Sequence, residues 1–327
     1  MTTWVLLRGL MRDQRHWNGF DQRLRQKGLR VMTPDLPGNG TLSHELSPLK
    51  IADYAHVVWL QLDEQVQEGE AIYLLGLSMG GMLALEMARQ RPWQIRHVFV
   101  LNSSAANLSA WYQRFNLLNA LKAFFLRARG KALHPIESTI VRLTSFRHRR
   151  DCGLIAEWSE FRRESSPTVR NAWRQLWAAF QYQCPLTVEV PISVLCGDRD
   201  ALVSMASSKA LAQHFHTDLI VLAYCGHDAA IDAPAKLAHY LLAIVAPTKP
   251  QTEVQEDDEP AHAQYAHTQY SCNDLLEEEM AFNEAIFSVW DEKALSILHS
   301  KSSTMNSTKT GNSLPIRLSH DGLAYRC

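Results

Sequence analysis

Hydrophobic and polar positions along the first hundred residues alternate between two periods. Short apolar runs, WVLL (4–7), LRVMTP (29–34), AIYLLG (71–76) and HVFVLN (97–102), are rich in branched or aromatic side chains and end on turn residues, the signature of buried strands. Between them, 51–68 and 79–90 carry apolar residues at helical spacing. Strands alternating with helices predict an α/β fold: a mostly parallel sheet with helices on both faces. The alternation stops at 105–184, which reads as helical throughout. It resumes with VPISVLCG (190–197), a helix near 204–215, DLIVLAY (218–224) and a helix near 232–245. Residues 1–246 are therefore expected to form one domain, with core segments 1–104 and 185–246 and an inserted helical cap, 105–184, over the carboxyl end of the sheet. Two stripes in the cap, Trp173, Leu176, Trp177 and Phe180, and Leu117, Leu121, Phe124 and Ala128, repeat every three or four residues. Most of them are expected to pack the insertion onto the sheet.

From 247 to 327 the chain turns polar and poor in branched apolar residues, a composition that predicts a low-complexity, largely disordered tail. Within it only 274–299 has the spacing of an amphipathic helix. Residues 105–189 carry 13 Lys/Arg against 6 Asp/Glu, a net of +7, and 247–327 carry 6 against 13, a net of −7. Solvated faces account for both; an acidic tail resting on a basic cap is the alternative.

Composition narrows the class. With 46% hydrophobic and 20% charged residues the chain reads as an ordinary soluble globular protein. A net charge of −1 supplies no field for nucleic acid. No apolar run approaches the ~20 residues that span a bilayer, so no transmembrane segment is expected, and the N-terminal run is too short for a signal peptide. The six cysteines show no paired spacing, which fits free thiols and a cytoplasmic location. Oligomeric state is left open.

The residues G-L-S-M-G at 76–80 fit the pattern G-x-S-x-G, in which a serine sits on a sharp turn between strand and helix. The flanking AIYLLG and MGGML supply that strand and that helix. A serine hydroxyl attacks poorly without a base, so later strand ends should supply an acid and a histidine. GDRDALV (197–203) offers Asp198 or Asp200, and CGHDAA (225–230) offers His227. The order Ser78, Asp, His227 follows the pattern.

On LLRGLMRDQRHW (6–17), MTPDLPGNG (32–40), GLSMGG (76–81), GDRDALV and CGHD, the chain resembles the α/β-hydrolase family, and in particular its small esterase-like members, from residue 4 to about 245. The resemblance implies a sheet of about six strands and a triad of Ser78, Asp200 and His227, with Asp198 left to cap its turn. It implies an oxyanion hole from the backbone N–H groups of Met79 and Leu10. Arg8 stands where relatives carry histidine, and Asn102 where some relatives carry the acid. The activity implied is hydrolysis of a carboxylic ester or thioester of a small molecule through an acyl-serine, without metal or cofactor. Alternatives on the same fold are a C–C bond hydrolase or lyase, and a ligand-binding protein with a vestigial triad. His16 and His44 lack the strand-end context and are expected in core or surface roles. Substrate-binding residues are not specified.

Overall fold

Residues 2–245, apart from 68 and 166, are described by the computed structural model; the expectations for the tail, 274–299 included, lie outside the described residues. Six strands form one all-parallel sheet: β1 (Thr2–Leu7), β2 (Arg30–Met32), β3 (Ala71–Leu77), β4 (Ile95–Leu101), β5 (Ile192–Gly197) and β6 (Leu219–Leu222), in the order β2-β1-β3-β4-β5-β6. The chain first moves outward from β1 to β2, then returns across β1 to β3. That reversal puts the topological switch point between β1 and β3, the crevice where open parallel sheets bind ligands.

Alternation along each strand builds a core on both faces. Val5, Leu7, Leu74, Val98 and Val100 join one cluster, while Trp4, Leu6, Leu75, Phe99 and Leu101 join the other. The first face is covered by α2 (Ile51–Asp63), α3 (Met79–Gln90) and α9 (Met205–His214); the second by α1 (Phe20–Gln26), α10 (Ala229–Asp232) and α11 (Pro234–Val245). Helix α1 escapes the periodicity reading because its seven residues bury only Phe20 and Leu24. The helix expected near 232–245 is two pieces, α10 and α11, with Pro234 opening the second, where its missing N–H costs nothing.

The inserted segment carries α4 (Trp111–Arg114), α5 (Leu117–Phe125), α6 (Pro135–Thr144), α7 (Cys152–Ser165) and α8 (Val169–Gln181), broken by non-helical stretches at 126–134 and 145–151. Val141, Leu154, Ile155 and Trp158 form its own small core with Ile231. The two apolar stripes do not pack onto the sheet as expected. Trp173, Leu176, Trp177 and Phe180 are all exposed, Trp173 by 67%, and so are Leu117, Leu121 and Phe124; Ala128 alone of the eight packs against the cap core.

Helix α8 instead turns a polar and small-residue face inward, Asn171, Gln175, Ala178 and Ala179. Gln175 accepts from the Met11 N–H at 2.8 Å and donates to Asn39 and to the Ser47 hydroxyl, each at 3.1 Å. Asn171 accepts from the Ser47 N–H at 3.0 Å and donates to the Glu45 carbonyl at 2.8 Å. These bonds satisfy backbone groups at Met11, Glu45 and Ser47, which lie outside any strand or helix. Gln175→Leu removes the acceptor of the half-buried Met11 N–H together with two buried side-chain bonds, so a loss of about 1 kcal/mol or more is expected. Trp177→Ser is expected to change stability by no more than about 0.5 kcal/mol. Urea unfolding of the two variants checks both, and the reverse ranking would mean that α8 packs the other way round.

Candidate active site

Ser78 lies between the end of β3 and the start of α3, with φ 59° and ψ −118°. A non-glycine residue held there stores about 1–3 kcal/mol of strain, which neighbouring bonds must secure. Its N–H donates to the Leu101 carbonyl at 2.8 Å, and its own carbonyl accepts from the Ser103 hydroxyl at 2.7 Å. The flanking glycines are dictated by space: a Cβ on Gly76 would run into the Gly80 carbonyl, and one on Gly80 into the Leu7 carbonyl. The turn therefore packs its backbone directly on β1, and the loop after β1 lies beside the serine. A Cβ on Gly9 would sit 3.2 Å from the Ser78 Cβ. Leu10 follows in that loop, and Met79, buried, opens α3.

The loops after β5 and β6 bring the other two groups together. Asp200 Oδ2 lies 2.7 Å from His227 Nδ1, both side chains nearly fully buried. The second carboxylate oxygen accepts from the N–H groups of Leu202 and Val203 at 2.8 and 2.9 Å, so Asp200 is held in one orientation. A carboxylate on Nδ1 keeps that nitrogen protonated and leaves Nε2 as the acceptor. Asp198 makes no such contact; its carboxylate takes the Cys225 N–H at 3.1 Å and fastens one loop to the other.

Three positions contribute in ways the sequence reading did not assign. Asn102, with φ 47° at the end of β4, donates to the carbonyls of His227 and Gly226 at 2.6 and 3.2 Å and accepts from the Gly197 N–H at 2.9 Å. With Ser103 bonded to Ser78, this one strand end ties the serine turn, the histidine loop and the end of β5. Asn102→Ala orphans the buried Gly197 N–H and is expected to cost about 1–3 kcal/mol, read as a lower urea midpoint. The third position is Arg8, which is 4% exposed, pairs with Asp228 at 2.6 Å and stacks over Trp17 at 4.8 Å. It thereby joins the loop beside Ser78 to the residue after His227. A polar residue just past each strand was the available signal, but polarity at a strand end does not name a partner.

Of the other histidines singled out in the sequence, one is in the core and one on the surface. His16 is buried against Asp13, and burial, with the nearby Arg12 charge, pushes it down to about 4; His44 is exposed. Cys184, Cys196 and Cys225 are free, buried thiols, and burial pushes the first two up to about 12. Cys152 is not among the free ones. Among the described residues no three His, Cys, Asp or Glu side chains gather as a metal site, and no helix is long and apolar enough to cross a membrane.

A family model described as the alpha/beta hydrolase family matches residues 4–240. No curated protein matches the chain. Among solved structures, a bacterial membrane phospholipase A superposes with TM-score 0.59 at 19% identity, covering 75% of this chain and 78% of its own. A thermophilic esterase from Thermogutta terrifontis gives 0.57 at 17%, covering 75% and 89%. A meta-cleavage product hydrolase from Pseudomonas fluorescens gives 0.57 at 17%, covering 75% and 90%. Likeness at these identities establishes the fold, and the three are named for different activities.

Proposed function

Because this chain belongs to the alpha/beta hydrolase family, we propose that it is a serine hydrolase cleaving a carboxylic ester or thioester of a small molecule. The observation that carries the reading is the left-handed, strained Ser78 at the head of α3, on the same sheet edge as a buried Asp200–His227 pair at 2.7 Å. In this reading His227 Nε2 takes the Ser78 proton as the oxygen attacks the substrate carbonyl. Asp200 keeps the imidazole tautomer and balances its positive form. The N–H groups of Met79 and Leu10 stabilise the oxyanion, each contributing about a hundred- to a thousandfold in rate. His227 then gives its proton to the leaving alcohol or thiol. Water, deprotonated by the same histidine, displaces the acid and restores the serine. The chain's own groups supply every proton transfer in this cycle.

The test needs no knowledge of the substrate. A fluorophosphonate probe phosphonylates only an activated serine, so labelling of folded protein followed by peptide mapping should find the adduct on Ser78. Adducts elsewhere, or none on protein shown to be folded, would overturn the reading.

A further inference from the structure

Helix α8 is amphipathic in the direction opposite to that of a helix lying on a globular core. Its inner face is Asn171, Gln175, Ala178 and Ala179, and the stripe with Trp173 and Trp177 faces out. Helices α4 and α5 do the same. Trp111, Tyr112, Leu118 and Phe125 are exposed by 52–68%, and α5 buries Ala123 alone of its nine residues. The three helices are joined. Arg114 of α4 donates to the carbonyls of Phe180 and Ala179 at 2.7 and 2.6 Å, which clamps α4 to the last turn of α8. Helix α5 begins three residues later. Its first turn is fastened underneath, the Asn116 N–H donating to the Leu202 carbonyl and the Asn119 amide to the Ala201 carbonyl, both at 2.9 Å. Apolar surface of this extent on a folded chain marks a contact with something else.

Charge narrows the partner. Segments 105–136 and 165–188, which carry these helices, hold seven Lys/Arg and no Asp/Glu. Lys122, Arg129, Lys131 and Arg170 are exposed, and no carboxylate among the described residues pairs with them. The six carboxylates of 105–189 are engaged elsewhere. Glu137 is buried between Arg12 and Arg162 at 2.8 and 2.9 Å, and Glu157 and Glu164 reach Asn18 and Arg15 of the core. Asp151 accepts the Leu154 N–H at the start of α7, Glu160 pairs with Arg163, and Glu189 stands in the approach to β5. Glu45 of the core meets α8 on its inner face, where its carbonyl accepts from Asn171. A second copy of this face would set like charge against like. Side chains exposed by two thirds, Trp173 and Leu118, stand clear of their neighbours and line no hole for a folded partner to fill. A fluid, anionic lipid surface meets both conditions. It closes around protruding Trp, Phe and Leu side chains and attracts the Lys and Arg beside them.

We propose that α4, α5 and α8 form a face that binds an anionic lipid surface. The tryptophans enter at the level of the headgroups, and Lys122 and Arg170 are among the groups that meet lipid phosphate. The proposal does not rest on the serine-hydrolase reading, because adhesion is measured without turnover. Through Asn116 and Asn119 the face adjoins the loop whose Leu202 and Val203 N–H groups hold Asp200, so a bound chain would present that loop to the lipid.

The test uses the full chain and sedimentation with sucrose-loaded vesicles at physiological salt. One set is phosphatidylcholine alone, the other contains about one part in three of phosphatidylglycerol. Binding to the anionic vesicles should be about tenfold tighter or more, since each basic residue near such a surface strengthens it about fivefold. The double variant Trp173→Ser, Trp177→Ser should weaken it by about tenfold or more through lost insertion. Lys122→Glu with Arg170→Glu should do the same through charge, and urea unfolding should show both variants folded. No sedimentation with anionic vesicles overturns the proposal; an acidic tail resting on the cap would give that result. Equal binding to both vesicle types, or binding that neither double variant weakens, overturns it as well. So does a dimer in lipid-free solution, measured by light scattering, that the tryptophan variant dissociates, because the face is then an interface between copies. The comparison of vesicles with unaltered protein decides the matter even if a variant fails to fold.

Discussion

Ser78→Ala is expected to lower the turnover of an activated short-chain ester by about ten-thousandfold or more while leaving the fold intact. In enzymes whose nucleophile, base and acid act as a unit, removing the nucleophile costs about as much as removing all three. What survives is oxyanion stabilisation and substrate binding, worth roughly a thousand- to ten-thousandfold over water. The fold should tolerate the change because Ser78 holds its place through the backbone: its N–H bonds to Leu101 and its carbonyl to Ser103. Alanine preserves both contacts and the positive φ is no harder for it than for serine. Unchanged urea unfolding with turnover lost is the expected pair of results, read from p-nitrophenyl acetate hydrolysis and denaturation. A variant retaining a tenth or more of wild-type kcat would refute the acyl-serine mechanism.

The second large effect distinguishes two aspartates two residues apart. Asp200→Asn is expected to lower kcat by about ten-thousandfold, and Asp198→Asn by less than about tenfold. Asn at 200 can still accept from Leu202 and Val203, so its loop should keep its shape. An amide facing His227 Nδ1, however, no longer enforces the tautomer that leaves Nε2 as the acceptor, and it carries no charge to balance an imidazolium. Asp198 has a different task. It accepts the Cys225 N–H at 3.1 Å, which an asparagine oxygen also does, so its loss should be felt, if at all, in stability. Equal kinetic effects of the two substitutions, measured as kcat on one ester, would show that neither acts through the imidazole.

The sequence exposes some of this architecture through short-range pattern and hides the rest in long-range contacts. Each of the six strands is a brief apolar run closed by turn residues, and β3 with α3 is readable from AIYLLGLSMGGML because the glycine spacing reports a backbone turn packed on its neighbour. The parallel arrangement follows from the intervening helices. Helix α1 is hidden because two apolar residues in seven make no period. Helix α8 misleads in a more instructive way: its strong apolar stripe predicts a packed face, yet the polar face is buried because loops 11 and 39–47 need the hydrogen bonds of Asn171 and Gln175.

Local order along the chain, then, determines the strand–helix alternation, the Ser78 turn and the set of polar residues waiting at strand ends, since each depends on neighbours within a few positions. Tertiary structure alone decides that Asp200 and not Asp198 reaches His227, that Asn102 knits three loops, that Arg8 meets Asp228, and that Arg12 and Arg162 share one carboxylate. These pairings join residues as many as 220 positions apart. They are settled by distances of about 3 Å, which no spacing along a chain encodes.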